Sequence, residues 1–220
     1  MGARAERSDR PLTGFKLAHP MVSADGTKAG FSGVTLGRTH VYQAVADAVC
    51  AHGGRHRCPA RWCGCGFYCV HSVEAARALA CDPEYAHTVL LEVTVSGRFI
   101  RYEKGLRYQR QRVRSVWLGR CGCARAAELL AGSGTGTVGW RRLSPTCRMC
   151  TGSRPVLTAA VFSRMLGGLP VSIDPGAATF VPLSGADGEL VPVLAAEVAL
   201  LQARLDEVQA QLDQLTRRPS

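Results

Sequence analysis

HTVLLEVTVSGRFIRY, residues 87–102, sets Val89, Leu91, Val93 and Val95 against Leu90, Glu92 and Thr94. That alternation is the signature of a half-buried strand, because strand side chains repeat every two residues. Ser96-Gly97 offers a turn into a second strand, FIRY. Working upstream, GFYCV (66–70) reads as another strand, and SVEAARALAC (72–81) as a helix that Ser72 caps and Cys81 ends. Further upstream, THVYQAVADAVC (39–50) carries Val41, Ala44, Val45, Ala48 and Val49 at helical spacing, with Thr39 as cap and Gly53-Gly54 as stop. Downstream, ARAAELLAG (124–132) predicts a short helix closed by Gly132, and SGTGTVG (133–139) a loose loop. RPVLTAAVFSRMLGG (154–168) predicts another helix with a double-glycine stop. Two short extended segments then flank an Asp174-Pro175-Gly176 turn. The expected fold class is α+β, a small mixed sheet with short helices.

A chain of 220 residues has room for a sizeable core, so its ten cysteines do not stand in for one. The opening MGARAERSDR has no apolar segment, and no later stretch reaches about 18 apolar residues without a charge. Neither secretion nor a membrane span is expected, and a cytoplasmic location follows. In a reducing compartment such cysteines serve as thiols or metal ligands rather than disulfides.

The cysteines fall into two groups. Cys121-Gly-Cys123 and Cys147-Arg-Met-Cys150 are two short-spaced pairs with a folded excursion between them, the spacing that lets four thiolates converge on one tetrahedral zinc. The other group, RHRCPARWCGCGFYC (55–69) with the upstream Cys50 and His52, offers more ligands than one ion needs. Pro59, Gly64 and Gly66 impose a turn-rich path there. The ligand set assigned is Cys50, His56, Cys63 and Cys65, with Cys58 able to replace Cys50 or His56; Cys69 and Cys81 are assigned as packed thiols. Two structural Zn2+ ions are the expected cofactors.

No catalytic residue is assigned. Residues 49–73 hold no Asp or Glu, so an open zinc with a neighbouring acid or base is absent from this stretch, as is the deaminase signature. The glycine-rich GSGTGTVG (132–139) lacks the Gly-Lys-Ser/Thr of a phosphate loop.

Charge is uneven. Residues 98–120 carry Arg98, Arg101, Lys104, Arg107, Arg110, Arg112, Arg114 and Arg120 against Glu103, which is +7 of the chain's net +10. If RQRVRSV is extended, Arg110, Arg112 and Arg114 share one face. Tyr102, Tyr108 and Trp117 lie among them, and cations interleaved with aromatics suit phosphate contact and base stacking. Arg98, Arg101, Lys104, Arg107, Arg110, Arg112 and Arg114 are therefore the expected nucleic-acid contacts. Beyond a linker at 184–190, a heptad runs through 191–217 with Val191, Val198, Leu205 and Leu212 at a, and Leu194, Leu201, Val208 and Leu215 at d. It predicts a coiled-coil helix that makes a homodimer or small oligomer. The domain expectation is a disordered 1–10, a zinc-stabilised body at 11–183, the linker and this helix.

GFYCVHSVEAARALA followed by HTVLLEVTVSGRF resembles the middle of poly-ADP-ribose-polymerase-type ADP-ribosyltransferases, where a Gly-Ile-Tyr strand, a serine-started helix and a Leu-Leu-x-Glu-Val strand succeed one another. The resemblance covers about thirty residues and implies that His52-Gly53 and Tyr68 stand where that family has its nicotinamide-site His-Gly and tyrosine. The same stretch is similar to uncharacterised bacterial proteins with His-x-x-Pro followed by Cys-x-Cys-Gly-Ile-Tyr, a likeness that implies no activity. The expectation that follows is a binding protein, an adaptor or regulator, presenting a basic surface to nucleic acid, DNA included. A transferase-like or other enzyme around Tyr68, and a structural protein-protein interaction module, are the alternatives.

Overall fold

The computed structural model describes residues 6–7, 10–34, 40–85, 87–176 and 204–209. In chain order its strands are β1 (Glu6–Arg7), β2 (Leu12–Ser23), β3 (Ala29–Ser32), β4 (Val41–Tyr42), β5 (Val45–Asp47), β6 (Phe67–Val70), β7 (Val89–Arg101), β8 (Gly105–Leu118), β9 (Leu129–Thr137), β10 (Trp140–Thr146), β11 (Val156–Thr158) and β12 (Val171–Ile173). Helix α1 (Val73–Ala80) precedes β7, and α2 (Ala159–Met165) precedes β12. All twelve strands join one sheet, and every pairing among the described residues is antiparallel except β12 with β8. The α+β expectation is therefore corrected: among the described residues this is a predominantly antiparallel β fold with three short helices, α1, α2 and a helical stretch at 204–209.

The long β7–β8 hairpin is its spine. Val89, Leu91, Val93 and Val95 are buried as their alternation requires. The chain does not turn at Ser96-Gly97, however. Register passes from Ser96↔Arg110 to Phe99↔Tyr108, so two residues of β7 oppose one of β8, and Gly97 has φ +79°. A bulge with glycine in the left-handed region lets the strand continue instead of reversing.

Each edge of the hairpin is then covered. β7 pairs with β2 through Leu12↔Val95 to Ala18↔Val89, and with β1 at Phe99. The far edge of β8 takes β6, β5 and β12 in succession. β6 also meets β2 at Phe15↔Val70, so β2, β7, β8 and β6 close on themselves. Beyond Ala18, β2 carries on to pair with β3 and β10, and β9 and β11 extend the sheet from there. The main apolar cluster draws on both parts, with Phe31, Phe67, Leu91, Tyr108, Leu130 and Phe162 among its members.

Three expected helices are strands, wholly or in part. Residues 41–47 include β4, which pairs with β3 at Phe31↔Tyr42, and β5, to which the open edge of β8 supplies partners: Ala48 donates to the Gln109 carbonyl at 2.7 Å and Val113 to the Ala44 carbonyl at 2.7 Å. Cys50 thus follows a strand rather than ending a helix. The stretch expected as a helix and loose loop at 124–139 is mainly β9, which turns at Val138-Gly139 into β10. In 154–168 a short strand precedes α2, and Thr158 caps that helix by accepting from the Val161 amide at 3.2 Å. The helix at 72–81 is found, with the Ser72 hydroxyl accepting from the Ala75 amide at 3.1 Å.

No coiled-coil helix is present among the described residues. Of its expected seam, Val191, Leu194, Val198, Leu201, Leu212 and Leu215 lie outside them, as does the linker. Residues 204–209 are helical, with Leu205 and Val208 about half exposed, and Glu207 turned onto the body.

Candidate metal centres and the basic face

The first cluster is built on the connection between β5 and β6. A turn closes where the Gly53 amide donates to the Cys50 carbonyl at 3.1 Å. Gly54 then passes so close to His56 that a Cβ would stand 2.6 Å from its Cε1, and a side chain there would displace the imidazole. A second turn, Cys63 amide to Ala60 carbonyl at 3.3 Å, brings Cys63 and Cys65 in ahead of β6. Ligand atoms of Cys50, His56, Cys63 and Cys65 all lie within 4.8 Å of one another. The Cys50 and Cys63 sulfurs are 3.7 Å apart, and His56 Nε2 is 3.1 Å from Cys65 Sγ. Thiolates on one tetrahedral ion with bonds of about 2.3 Å stand about 3.8 Å apart. The four residues can hold a metal ion.

Cys58 stays outside this group. It is buried against Cys50, Ala60 and Cys65, where burial raises its thiol above the ordinary value. Burial likewise pushes Cys63 and Cys65 up to about 11. A bound dication works in the opposite sense and holds such thiols as thiolates.

The second cluster joins two loops. Cys121 and Cys123 occupy the tight turn after β8, held by the Ala124 amide to the Cys121 carbonyl at 2.8 Å and the Cys121 amide to the Arg125 carbonyl at 2.8 Å. Cys147 precedes a 3-10 turn just beyond β10, and Cys150 is that turn's last residue. All four sulfurs lie within 4.8 Å of one another, with Cys123 and Cys147 3.5 Å apart. Burial opposes ionisation of Cys147, but hydrogen bonds from Cys123 and Cys150 outweigh it and bring that thiol to about 7. This set also can hold a metal ion. Among the described residues these are the two groups of this kind.

The expected basic contacts divide. Arg110, Arg112 and Arg114 are exposed along β8, and Arg101 and Lys104 are exposed near the hairpin turn, while Arg98 is half-buried. Arg107 is a correction: at 1% exposure it cannot face a polyanion. Its guanidinium donates to the carbonyls of Cys63 and Ala60 and to Glu207 at 3.0 Å, so it organises the first ligand loop from below. The signal was available, since in an extended strand position 107 has the opposite parity to 110, 112 and 114. Arg110 pairs with Asp47 at 2.8 Å, both exposed, and its hydrogen bond lowers the Asp47 carboxyl.

Sequence reasoning passed over Lys16, whose ammonium lies over the rings of Tyr42 and Phe67 at 4.9 and 4.7 Å. It also passed over Trp62, exposed beside a ligand cysteine. A lysine inside an alternating strand and an aromatic inside a cysteine loop were the available signals. A cleft of about 380 Å³, lined by His19, Glu84, His87, Arg142 and Arg154 among others, opens beside β9 and β10. The Tyr68 hydroxyl donates to the Gly64 carbonyl at 2.8 Å, and His52-Gly53 occupy the exposed turn after Cys50. The long strands flanking β7, namely β2 and β8, carry no Asp or Glu.

No family model, curated protein or solved structure matches this chain. Among the described residues no helix is long and apolar enough to cross a membrane.

Proposed function

We propose that this chain is a zinc-stabilised binding protein that takes nucleic acid on the arginine row of β8. The carrying observation is the alternation along that strand, with Arg110, Arg112 and Arg114 exposed while Gln111 and Val113 between them are buried. Arg110 and Arg112 stand about 6.7 Å apart on one face, and Arg114 follows at the bulge where register passes from Val93↔Val113 to Glu92↔Ser115. Three exposed planar guanidinium groups in a row suit bidentate contact with phosphates. Thr94 and Ser96, paired with Arg112 and Arg110, add hydroxyls beside them. The net charge of +10 supplies long-range attraction. Asp47 competes for Arg110, but through an exposed pair that a phosphate can replace at small cost.

Zinc is the metal that three thiolates with an imidazole, or four thiolates, favour in a closed tetrahedral site. Four protein ligands leave no position for a substrate, so the ions hold shape. The test has two arms. Protein prepared without chelator should carry about two zinc ions per chain and be colourless, whereas iron would show as visible absorbance. Affinity for a generic oligonucleotide should fall steeply with salt, and Arg110→Ala, Arg112→Ala and Arg114→Ala together should flatten the log-log slope by about two to three. An unchanged slope in that triple variant, with zinc content intact, refutes the proposed face.

A further inference from the structure

We infer that the first metal loop is a stacking site for an unpaired base, so that the nucleic acid this chain takes is single-stranded. The inference rests on the proposed function above and specifies its ligand. Trp62 is 67% exposed, although it sits between Arg61 and the ligand Cys63. An indole in water forgoes the burial that its area would otherwise contribute. Here it is also held still. Its ring neighbour is the ligand His56, with centroids 6.0 Å apart and planes at 71°. Cys63, the next residue, is bonded through its amide to Ala60, and both carbonyls accept from buried Arg107. One ion bound by His56 and Cys63 therefore fixes Trp62 through a backbone neighbour and a ring contact. A flat apolar face kept rigid and wet is a platform.

The surroundings choose its partner. Arg55, Arg57 and Arg61 are exposed in the same loop, and residues 48–73 contain no carboxylate. An aromatic face ringed by cations suits a flat apolar group flanked by anions, as a nucleobase is by its phosphates. Duplex bases turn their faces to one another and cannot reach an indole, whereas unpaired bases can. Along β8, Arg107 beneath the loop and Arg110 at the start of the arginine row are three residues apart, about 10 Å, with their side chains on opposite faces, so the loop is a contact separate from the row. An anionic membrane is the competing partner for tryptophan and arginine, but it requires a contiguous apolar patch, and the connection between β5 and β6 exposes two large apolar side chains, Val49 and Trp62, thirteen residues apart in sequence.

The experiment measures anisotropy of a labelled single-stranded thymidine oligonucleotide and of a duplex of equal length. The proteins are wild type, Trp62→Ala, Trp62→Phe and the Arg110/Arg112/Arg114 triple alanine variant, with zinc content measured for each. Wild type should prefer the single strand. Trp62→Ala should weaken that binding about 5- to 150-fold with its salt slope and zinc content unchanged, and Trp62→Phe should recover most of the loss. The triple variant should instead lose slope. Unchanged affinity in Trp62→Ala, or a duplex preference, overturns the stacking site while leaving the arginine face standing. Failure of wild type to bind either nucleic acid at low salt removes both. Trp62-dependent binding to vesicles of anionic phospholipid, with oligonucleotide binding unaffected by the substitution, assigns the loop to a membrane instead. Should Trp62→Ala fail to fold, acrylamide quenching of wild-type emission decides: bound oligonucleotide must shield the accessible indole, and no shielding overturns the proposal.

Discussion

Lys16 carries the least expected electrostatics in the chain. Its ammonium sits over the faces of Tyr42 and Phe67 and 3.4 Å from Gln111 Oε1, which also accepts from the Tyr108 hydroxyl at 2.8 Å. The residue keeps some accessibility, yet desolvation of the ammonium dominates and lowers its pKa from 10.5 to about 8, with Cys69 opposing weakly. Because the folded value lies below the unfolded one, folding at neutral pH carries a penalty. It is complete below about pH 8 and vanishes as pH rises to 10.5. Lys16→Met keeps the volume and removes the charge. Urea denaturation should show the variant more stable at pH 7, with the advantage shrinking steadily between pH 8 and 10.5. A variant less stable at pH 7, or an advantage independent of pH, would show that ring and amide contacts outweigh desolvation.

Helix α1 shows how a short element is kept in place. It buries Ala76 against Leu17 and Leu90, a modest apolar contact for eight residues. Arg77 adds a bidentate grip on Asp174, the residue after β12, with side chains 16% and 6% exposed. Asp174 is itself tied in, since its amide donates to the Leu118 carbonyl at 2.8 Å and its carboxylate accepts from the Gly176 amide at 2.9 Å. The pair therefore joins α1 to the ends of β8 and β12. Asp174→Ala leaves a largely buried guanidinium alone and should cost about 3 kcal/mol in chemical denaturation. Asp47→Ala, at the exposed pair with Arg110, should leave the midpoint nearly unchanged. Equal effects from the two variants would mean that burial does not set the difference.

Across the whole molecule, the two clusters brace the parts that the apolar core does not reach. The first cross-links the connection between β5 and β6 to itself, which Arg107 then holds to β8, and the second ties the turn after β8 to the chain after β10. Metal binding is then folding free energy for these connections. Cys147→Ser should release one ion per chain and lower the melting temperature markedly, whereas Cys81→Ser, at the C-cap of α1 and outside both clusters, should keep both ions and melt near wild type. Metal analysis beside thermal melts checks this. Comparable losses in the two variants would deny the second cluster its structural part.

What the sequence by itself determined was whatever depends on near neighbours. The alternation of 89–95, the Ser72 cap and the close cysteine spacings are local, and each is present in the structure as residues, bonds or ligand atoms brought together. What only the tertiary structure decided was which partner each ambiguous segment meets. Val41, Val45 and Val49 satisfy a helical period, yet as β-branched residues they suit a strand equally, and the open edge of β8 drew 45–47 into the sheet. Ala-rich 124–132 hid its strand because alanine marks neither period, though Ala127, Leu130 and Ala131 are fully buried. The fate of the arginines turned on the same physics. A strand sends alternate side chains to opposite faces, so register alone put Arg107 inside with the metal loop and left Arg110, Arg112 and Arg114 in water.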